Sequence, residues 1–545
     1  MEGPLVAAMQ SGVEPRENFL HKSTIMIDFI VLNRASRSRG LHMETRPNRS
    51  AQKFTVAVIG GGFTGTTLAA QLVRHSNPSF SVVVIEKSGL PGRGMAYGTE
   101  CNSHLLNVPA RDMSAFPEDG EHFLRWARAN HDWQVEPCSF LPRIEYGRYL
   151  GTILSEAALS GGKSCLHWKR DEARAISATG DGEIEIQLRS GARILADKVV
   201  LALGNFPSSD PNLPGRDPAS RSVRSRDLYF SSPWSDTSFE GVEHLDSVLL
   251  LGSGLSSVDV AVELRHKGFP GAIHILSRHG LLPHFHKAHS PWPVLWNEHS
   301  PRCVRGLLRL VRAQVHEAKQ QGIDWRGVVD CLRQVTSQIW QSLPEAEKRR
   351  FLRHVRPYWE VHRHRAAPEI ARFMDDQTTN GKIQLHAGRI TNYRENGPRV
   401  EISYCERKSG EGSCLSVDRV INCTAPETDC RRLQDPLVTN LLAKGLVRPH
   451  PLFLGFDASV EGALIDHDGC ISDSLYAVGP ARKGSLWEST AVPEIREQVY
   501  QLVQHLVNES RQTRPRNHTR LVPSHAEISW SHPCPVPCHA AGSAR

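Results

Sequence analysis

No apolar stretch in this chain approaches the roughly 18–20 residues that cross a bilayer as a helix. The best run, Ile25 to Leu32, is short and broken by Asp28, so no membrane partner is expected. Cysteine is present but unorganised: twelve are scattered, and only Cys534 and Cys538 fall within five positions of each other. Neither a disulfide framework nor zinc-ligand spacing is visible, so no metal is expected and a reducing cytoplasm is the natural compartment. Residues 1–50 lack the charged, apolar and cleavage regions of a signal peptide. They read as a disordered leader, a start wrongly placed upstream of Met43, or a weak organellar presequence. No compact basic stretch carries interleaved aromatics, so the net charge of +7 does not imply nucleic acid. An anionic cofactor or substrate would explain part of the excess. What remains is an ordinary globular composition, 39% apolar and 23% charged over 545 residues, enough for several domains of about 100–200 residues each.

The most informative stretch is Phe54 to Glu86. The apolar run Val56 to Ile59 leads into Gly60-Gly61-Gly62-Phe63-Thr64-Gly65, then a helical spacing at Leu68, Leu72 and Val73, then Val82 to Ile85 ending in Glu86. Strand, glycine turn, helix, parallel strand and terminal acid form the order of a dinucleotide-binding βαβ unit. Gly60 serves the tight turn, Gly62 a close approach to pyrophosphate, and Gly65 close packing of helix on strand. The helix N-terminus offers N–H groups to phosphate, and Glu86 can take a ribose hydroxyl pair.

A second unit follows. Val248 to Leu251 leads into Gly252-Ser253-Gly254-Leu255-Ser256-Ser257, a helix with Val258, Val262 and Leu264, and a strand Ile273 to Leu276 followed by Ser277-Arg278-His279. Gly60 to Glu86 and Gly252 to Arg278 are both 26 positions. The residue closing the second strand differs: an acid suits a bare ribose, a cation a 2′-phosphate. The pair therefore reads as FAD first and NADPH second, with Arg278 and His279 as phosphate contacts; a solvated strand end is the other reading of Arg278.

Between and after these units the signals are weaker. Gly89, Gly92, Gly94 and Gly98 mark a loop that suits either a wrapped cofactor or a plain surface turn, and a helix begins around Phe123. Residues 183–203 alternate as a hairpin and stop at Gly204, a turn that suits a sheet edge touching a cofactor. From Leu281 to Asp376 a helical block is expected, with Trp325, Val328, Val329, Leu332, Val335, Ile339 and Leu343 on its core face. Arg353, His354, Arg356, His362, Arg363, His364 and Arg365 form either a solvated basic face or a surface for an anion. A strand pair is expected near Val400–Tyr404 and Val417–Cys423. A strand into Gly479 and a helix opened by Pro493 follow, with a disordered tail beyond Asn508.

These motifs together resemble the two-dinucleotide-fold flavoproteins, and among them the group containing FAD-dependent urate hydroxylase and aspartate N-monooxygenase. The resemblance covers roughly residues 54–508 and rests on VAVIGGGFTG, GRGMAYGT with HLLNVPARDMSAFP, LLGSGLSSVDVAVEL with LSRHG, VINCTAP and VGPARKGSLWESTAVPEIREQ. It implies Gly60, Gly62, Gly65 and Glu86 for the ADP half of FAD, Gly479 near the FAD phosphates, and the helix at Pro493 aimed at the flavin. Gly204 and Thr424 would mark the links between the two nucleotide domains. Pro480 stands where an acid often follows that glycine. Asn107 would face the flavin ring, a plain turn former being its other reading. The implied activity is an NADPH-reduced FAD monooxygenase that passes oxygen through a flavin C4a-hydroperoxide to a small polar substrate, an amino-acid nitrogen or a purine-like carbon, with O₂ as co-substrate.

The expected fold is α/β: two doubly wound Rossmann-like domains, with the NADPH domain (246–425, carrying a helical insertion at 281–376) placed inside the FAD domain (53–245 and 426–508). Residues 1–52 and 509–545 would lie outside both. A disulfide reductase would need a redox cysteine pair behind the first fingerprint, where only Cys101 stands. A flavoprotein that binds both nucleotides as a redox sensor or assembly partner remains the non-enzymatic alternative.

Overall fold

The structure, a computed structural model, describes residues 53–75, 80–160, 165–179, 182–216, 228–235 and 237–512. The leader expectation and most of the tail lie outside them. The tail was expected from 509, whereas the last helix, Val492–Gln512, runs past that point.

Two parallel sheets organise the chain. The first has β1 (Phe54–Ile59) at its centre, flanked by β2 (Phe80–Glu86) and then β3 (Cys165–Arg170) on one side. On the other side stand β7 (Lys198–Leu201), β16 (Ile471–Ala477) and an antiparallel edge, β15 (Ala463–Ile465). Register pairs Val56 with Val82 and Lys198, so β1 is hydrogen-bonded on both sides and buried on both faces. That is why it reads as a continuous β-branched run rather than an alternation. Val56 and Val58 face the helix Phe63–His75, with the helices Arg143–Ser160 and Val492–Gln512 behind it. Ala57 and Ile59 face the opposite way, onto an antiparallel sheet of β4 (Ala173–Ala178), β5 (Ile184–Leu188) and β6 (Arg193–Ala196) and the helix Pro436–Ala443.

The second sheet repeats this plan. Its parallel strands are β8 (Tyr229–Phe230), β9 (Ser247–Leu251), β10 (Ala272–Ser277), the start of β11 (Ile383–Asn396) and β14 (Arg419–Asn422). The far half of β11 continues antiparallel into β12 (Arg399–Glu406) and β13 (Gly412–Val417). Helices Leu255–His266 and Pro368–Thr379 cover one face, and the meander carrying Tyr393, Val400, Ile402 and Val417 covers the other. Each parallel sheet thus has helices on one side and antiparallel strands on the other, joined in the first sheet by the helix Pro436–Ala443. The second sheet lies between the strands of the first in sequence.

Three local expectations are corrected. Residues 281–303 form no helix; Pro283, Pro291, Pro293 and Pro301 break the pattern, and helices begin at Val304. The strand pair expected near Val400–Tyr404 and Val417–Cys423 is met only at Val417, which pairs with Val400 at the end of β13; β12 sits between β11 and β13, while 419–422 is a separate strand, β14, that joins β9. The periodic stretch from Trp325 is two short helices, Trp325–Cys331 and Thr336–Ser342, with Val328, Val329, Leu332 and Leu343 buried.

The two sheet units are tied at their meeting line. Arg143, at the start of its helix, reaches Asp259 on the helix Leu255–His266 through Nη1 at 2.8 Å and Nη2 at 3.0 Å, and both side chains are mostly buried. His104 adds a contact to the Asp259 carbonyl at 3.1 Å. Asp259→Ala leaves a buried guanidinium without its counter-charge and is expected to cost about 3–5 kcal/mol. Urea unfolding measures it, and a loss below about 1 kcal/mol would show the pair to be dispensable.

Candidate functional site

Gly60 has φ +105°, and a Cβ there would fall 2.3 Å from the Ala202 carbonyl oxygen. A Cβ at Gly65 would fall 1.8 Å from the Gly60 oxygen. Both glycines are therefore fixed by the approach of backbone to backbone, as the spacing predicts. Gly62 lies close against Gly94: a Cβ on Gly62 would fall 3.5 Å from the Gly94 Cα, and one on Gly94 3.1 Å from the Gly62 Cα. Glu86 is buried: its Oε2 accepts the Gly61 N–H at 2.6 Å and its Oε1 the Ser88 N–H at 2.8 Å. Each oxygen keeps lone-pair capacity for a further donor.

Gly60, Gly62 and Glu86 open onto a cavity of about 1530 Å³. Its floor is the strap around Asn107, pinned by main-chain bonds: Leu106 N–H to Leu141 O at 2.8 Å, Ala110 N–H to Ser139 O at 2.9 Å and Arg143 N–H to His104 O at 2.8 Å. Asn107 lines the cavity, and among the described residues its side-chain amide has no hydrogen-bond partner. Its carbonyl accepts from His286 Nε2 at 3.0 Å.

The wall opposite is cationic. Arg363 and Arg365 are buried, so the basic stretch is not simply a solvated face, although Arg353 and His354 are exposed. Arg333 grips Glu494 through Nε at 2.6 Å and Nη2 at 3.1 Å, and Arg363 Nη2 meets the same carboxylate at 2.8 Å. Burial would raise the Glu494 carboxyl, but these two guanidiniums hold it below its ordinary range. Arg365 pairs with Asp330, which also receives His289 at 3.0 Å. Nε and Nη1 of Arg365 and Nε of Arg363 are sealed behind the cavity surface without a hydrogen-bond partner, while both residues line the cavity. His286 and His289 were not foreseen, although a proline-rich, histidine-bearing linker directly behind the second fingerprint was the signal for them; Asp330, on the helix Trp325–Cys331, carried no such signal.

The second unit meets the same cavity through Leu255, Ser256 and Asp259. Gly252 has φ +103°, with its Cβ position 2.8 Å from the Cys423 oxygen. Gly254 has open space in front of it. Ser257 Oγ donates to Gly252 O at 2.7 Å, so the helix stands further off than at Gly65. Arg278 lies exposed beyond the cavity, its carbonyl 3.5 Å from Arg407 Nη1. Burial, then Arg407 and Arg278, pushes the His279 imidazole below its ordinary value, which favours the neutral ring, so the positive charge at this strand end is that of the two arginines. Arg407, from the β12–β13 turn, is a member that the sequence did not reveal.

Gly204 (φ +67°) and Thr424 line the cavity where the chain passes between the sheets. Gly479 (φ +82°) sits behind it, its N–H donating to Gln498 Oε1 at 3.1 Å, while Pro480 lines it. Trp487 is held at φ +64° and stacks on Trp340 at 4.9 Å. That unusual turn delivers Thr490, Ala491 and the start of the helix Val492–Gln512 to the cavity. Among the described residues no group of three or more His, Cys, Asp or Glu is arranged to hold a metal, and no helix is long and apolar enough to cross a membrane.

Residues 57–206 match a family described as FAD-NAD(P)-binding. An L-aspartate N-monooxygenase (nitrosuccinate-forming) of Streptomyces cremeus is 23% identical over 251 residues. That match covers 38% of this chain and 37% of the relative, so the chain spans little more than a third of the relative's length. Among solved structures, an FAD-bound cadaverine monooxygenase of Erwinia amylovora aligns with TM-score 0.57 and 13% identity, covering 88% of this chain and all of that one. An ornithine N-hydroxylase of Kutzneria sp. 744, with reduced FAD, NADP⁺ and L-ornithine, aligns with TM-score 0.55 and 14% identity, covering 84% of this chain and all of that one. The fold is that of the FAD/NAD(P) Rossmann-type flavoproteins.

Proposed function

We propose that this chain is an FAD-dependent, NADPH-reduced monooxygenase that oxygenates a small polar, anionic substrate, with an amino-acid nitrogen favoured over a purine-like carbon. The observation that carries the reading is a cavity bordered by the glycine turn of the first unit and by the helix start of the second at Leu255 and Ser256, with Asn107, Arg363 and Arg365 also on its lining. FAD fits the first unit: Gly60, Gly62 and Phe63 open onto the cavity at the helix N-terminus, where a pyrophosphate would meet free N–H groups, and Glu86 has acceptor capacity left for ribose hydroxyls. When bound and reduced, it supplies the activation of O₂. The protein's own part is placement. The strap at 104–110 holds Asn107, and the positive charge of Arg363 and Arg365 in the cavity wall favours a substrate carboxylate. The N-oxygenating relatives support nitrogen as the site of reaction.

NADPH is assigned to the second unit, with its pyrophosphate at Gly252, Gly254 and Ser257 and its 2′-phosphate at Arg278, His279 and Arg407. Arg278→Glu is expected to raise the apparent KM for NADPH roughly 10–100-fold, the worth of one charged hydrogen bond of about 1.5–3 kcal/mol, and to leave FAD content unchanged. Equal NADPH use by the variant would contradict the assignment. The whole reading is tested by following NADPH consumption over aspartate, ornithine, lysine and urate with peroxide measured in parallel. Oxygenated product coupled to NADPH is expected with one of them. Peroxide alone across carboxylate-bearing amines and purines would favour a redox protein without monooxygenase activity.

A further inference from the structure

We infer that His286 is a positioning residue for Asn107 and, through its second ring nitrogen, an acceptor for an N–H of the substrate amine; the second half rests on the monooxygenase reading. His286 lies in the irregular linker after β10, yet its main chain is firmly tied. Its N–H donates to Ala366 O at 3.0 Å, the preceding His284 N–H donates to Val361 O at 3.0 Å, and Phe285 forms a parallel bridge with Ala366. The ring packs against Phe140 with centroids 5.0 Å apart. This linker therefore holds the imidazole against the strap rather than leaving it to swing.

The tautomer follows from the partner. A carbonyl has no proton to give, so Nε2 carries the hydrogen and donates it to Asn107 O at 3.0 Å. Burial first, and the Arg365 guanidinium next, push the ring down to about 4, so it is neutral under ordinary conditions. In a neutral imidazole with hydrogen on Nε2, Nδ1 is a bare acceptor. Among the described residues Nδ1 has no hydrogen-bond partner and is not sealed in the interior, and His286 lines the cavity. The surrounding wall is otherwise rich in donors: Lys287, Arg363 and Arg365. An amine about to be oxygenated must be unprotonated and must aim its lone pair. A nearby acceptor that takes one of its N–H bonds fixes that aim, and a cation in the same place would repel the ammonium form and offer nothing to the amine. One neutral ring thus serves two ends, holding the Asn107 peptide and orienting the nitrogen.

Two variants separate this role from plain packing. His286→Phe keeps the ring volume and has neither donor nor acceptor. His286→Gln has an amide that donates to Asn107 O and an oxygen that accepts. Both are expected to keep wild-type flavin content and NADPH KM. The Phe variant is expected to lose about tenfold or more in product formed per NADPH and in kcat with the amine, and the Gln variant to return to within about threefold of wild type. In the protein as purified, amide exchange of residues 104–112 is expected to quicken in the Phe variant and not in the Gln variant. Unchanged coupling in the Phe variant, no rescue by Gln, or equal exchange in all three proteins would overturn the inference. If the wild type oxygenates no amine, the monooxygenase reading falls and with it the acceptor half. The exchange experiment then decides the positioning half alone.

Discussion

Gly65→Ala is expected to yield protein with less than about a tenth of the wild-type flavin. The added Cβ would sit 1.8 Å from the Gly60 carbonyl oxygen and 2.9 Å from its carbon. Neither atom can step aside by changing a rotamer. Gly60 is held by its N–H to Ile85 O at 2.9 Å and pressed against the Ala202 carbonyl. The helix Phe63–His75 must therefore lift from β1, against a core in which every residue from Phe63 to Val73 is buried. Overpacking of this kind costs about 1–3 kcal/mol or more, and the displaced turn no longer presents its N–H groups to a pyrophosphate. Visible absorbance of the purified protein checks it. Gly65→Ser is expected to fail as well, although the matched position in the second unit is Ser257. There the hydroxyl reaches Gly252 O at 2.7 Å without collision because the helix stands further from its strand. Flavin content near wild type in either variant would refute the close approach.

Asn107→Ala is expected to lower the oxygenation rate roughly 10²–10³-fold, the usual cost of losing one preorganised donor, while NADPH oxidation continues and ends in peroxide. The amide is unpartnered within the described protein and stands on a strap bonded at 104, 106 and 110 and at Asn107's own carbonyl, so its place is fixed before any ligand arrives. Product, NADPH and peroxide measured together give the split. Undiminished coupling would reduce Asn107 to a turn residue.

The two glycine units were readable because each compresses its reasons into a few positions. A central parallel strand is a bare apolar run, and the glycines answer to backbone contacts that no other residue tolerates. The alternating hairpin at 183–203 and the strand near Val400 were legible too, but that they form antiparallel layers packed on the parallel sheets is a placement that periodicity did not foretell. β11 is the clearest case: of its 14 residues only Ile383, Gly388 and Tyr393 are buried, so its polar sequence hides a strand that exists through its neighbours β10 and β12. The linker 281–303 erred the other way, since its apolar and aromatic residues suggested helix while its prolines forbade it. The buried character of Arg363 and Arg365 was equally out of reach, because composition cannot tell a solvated arginine from one paired with Glu494 or Asp330 across the fold.

On the proposed reading, a nicotinamide nucleotide held by the second unit reduces a flavin held by the first across the cavity that Gly60, Gly62, Leu255 and Ser256 line. Anaerobic titration of the flavin-loaded protein with NADPH tests it most directly. Bleaching of the visible flavin band by one equivalent of NADPH, slowed in Arg278→Glu and absent in Gly65→Ala, is the predicted result. A flavin that stays oxidised under excess NADPH while accepting electrons from dithionite would contradict the account.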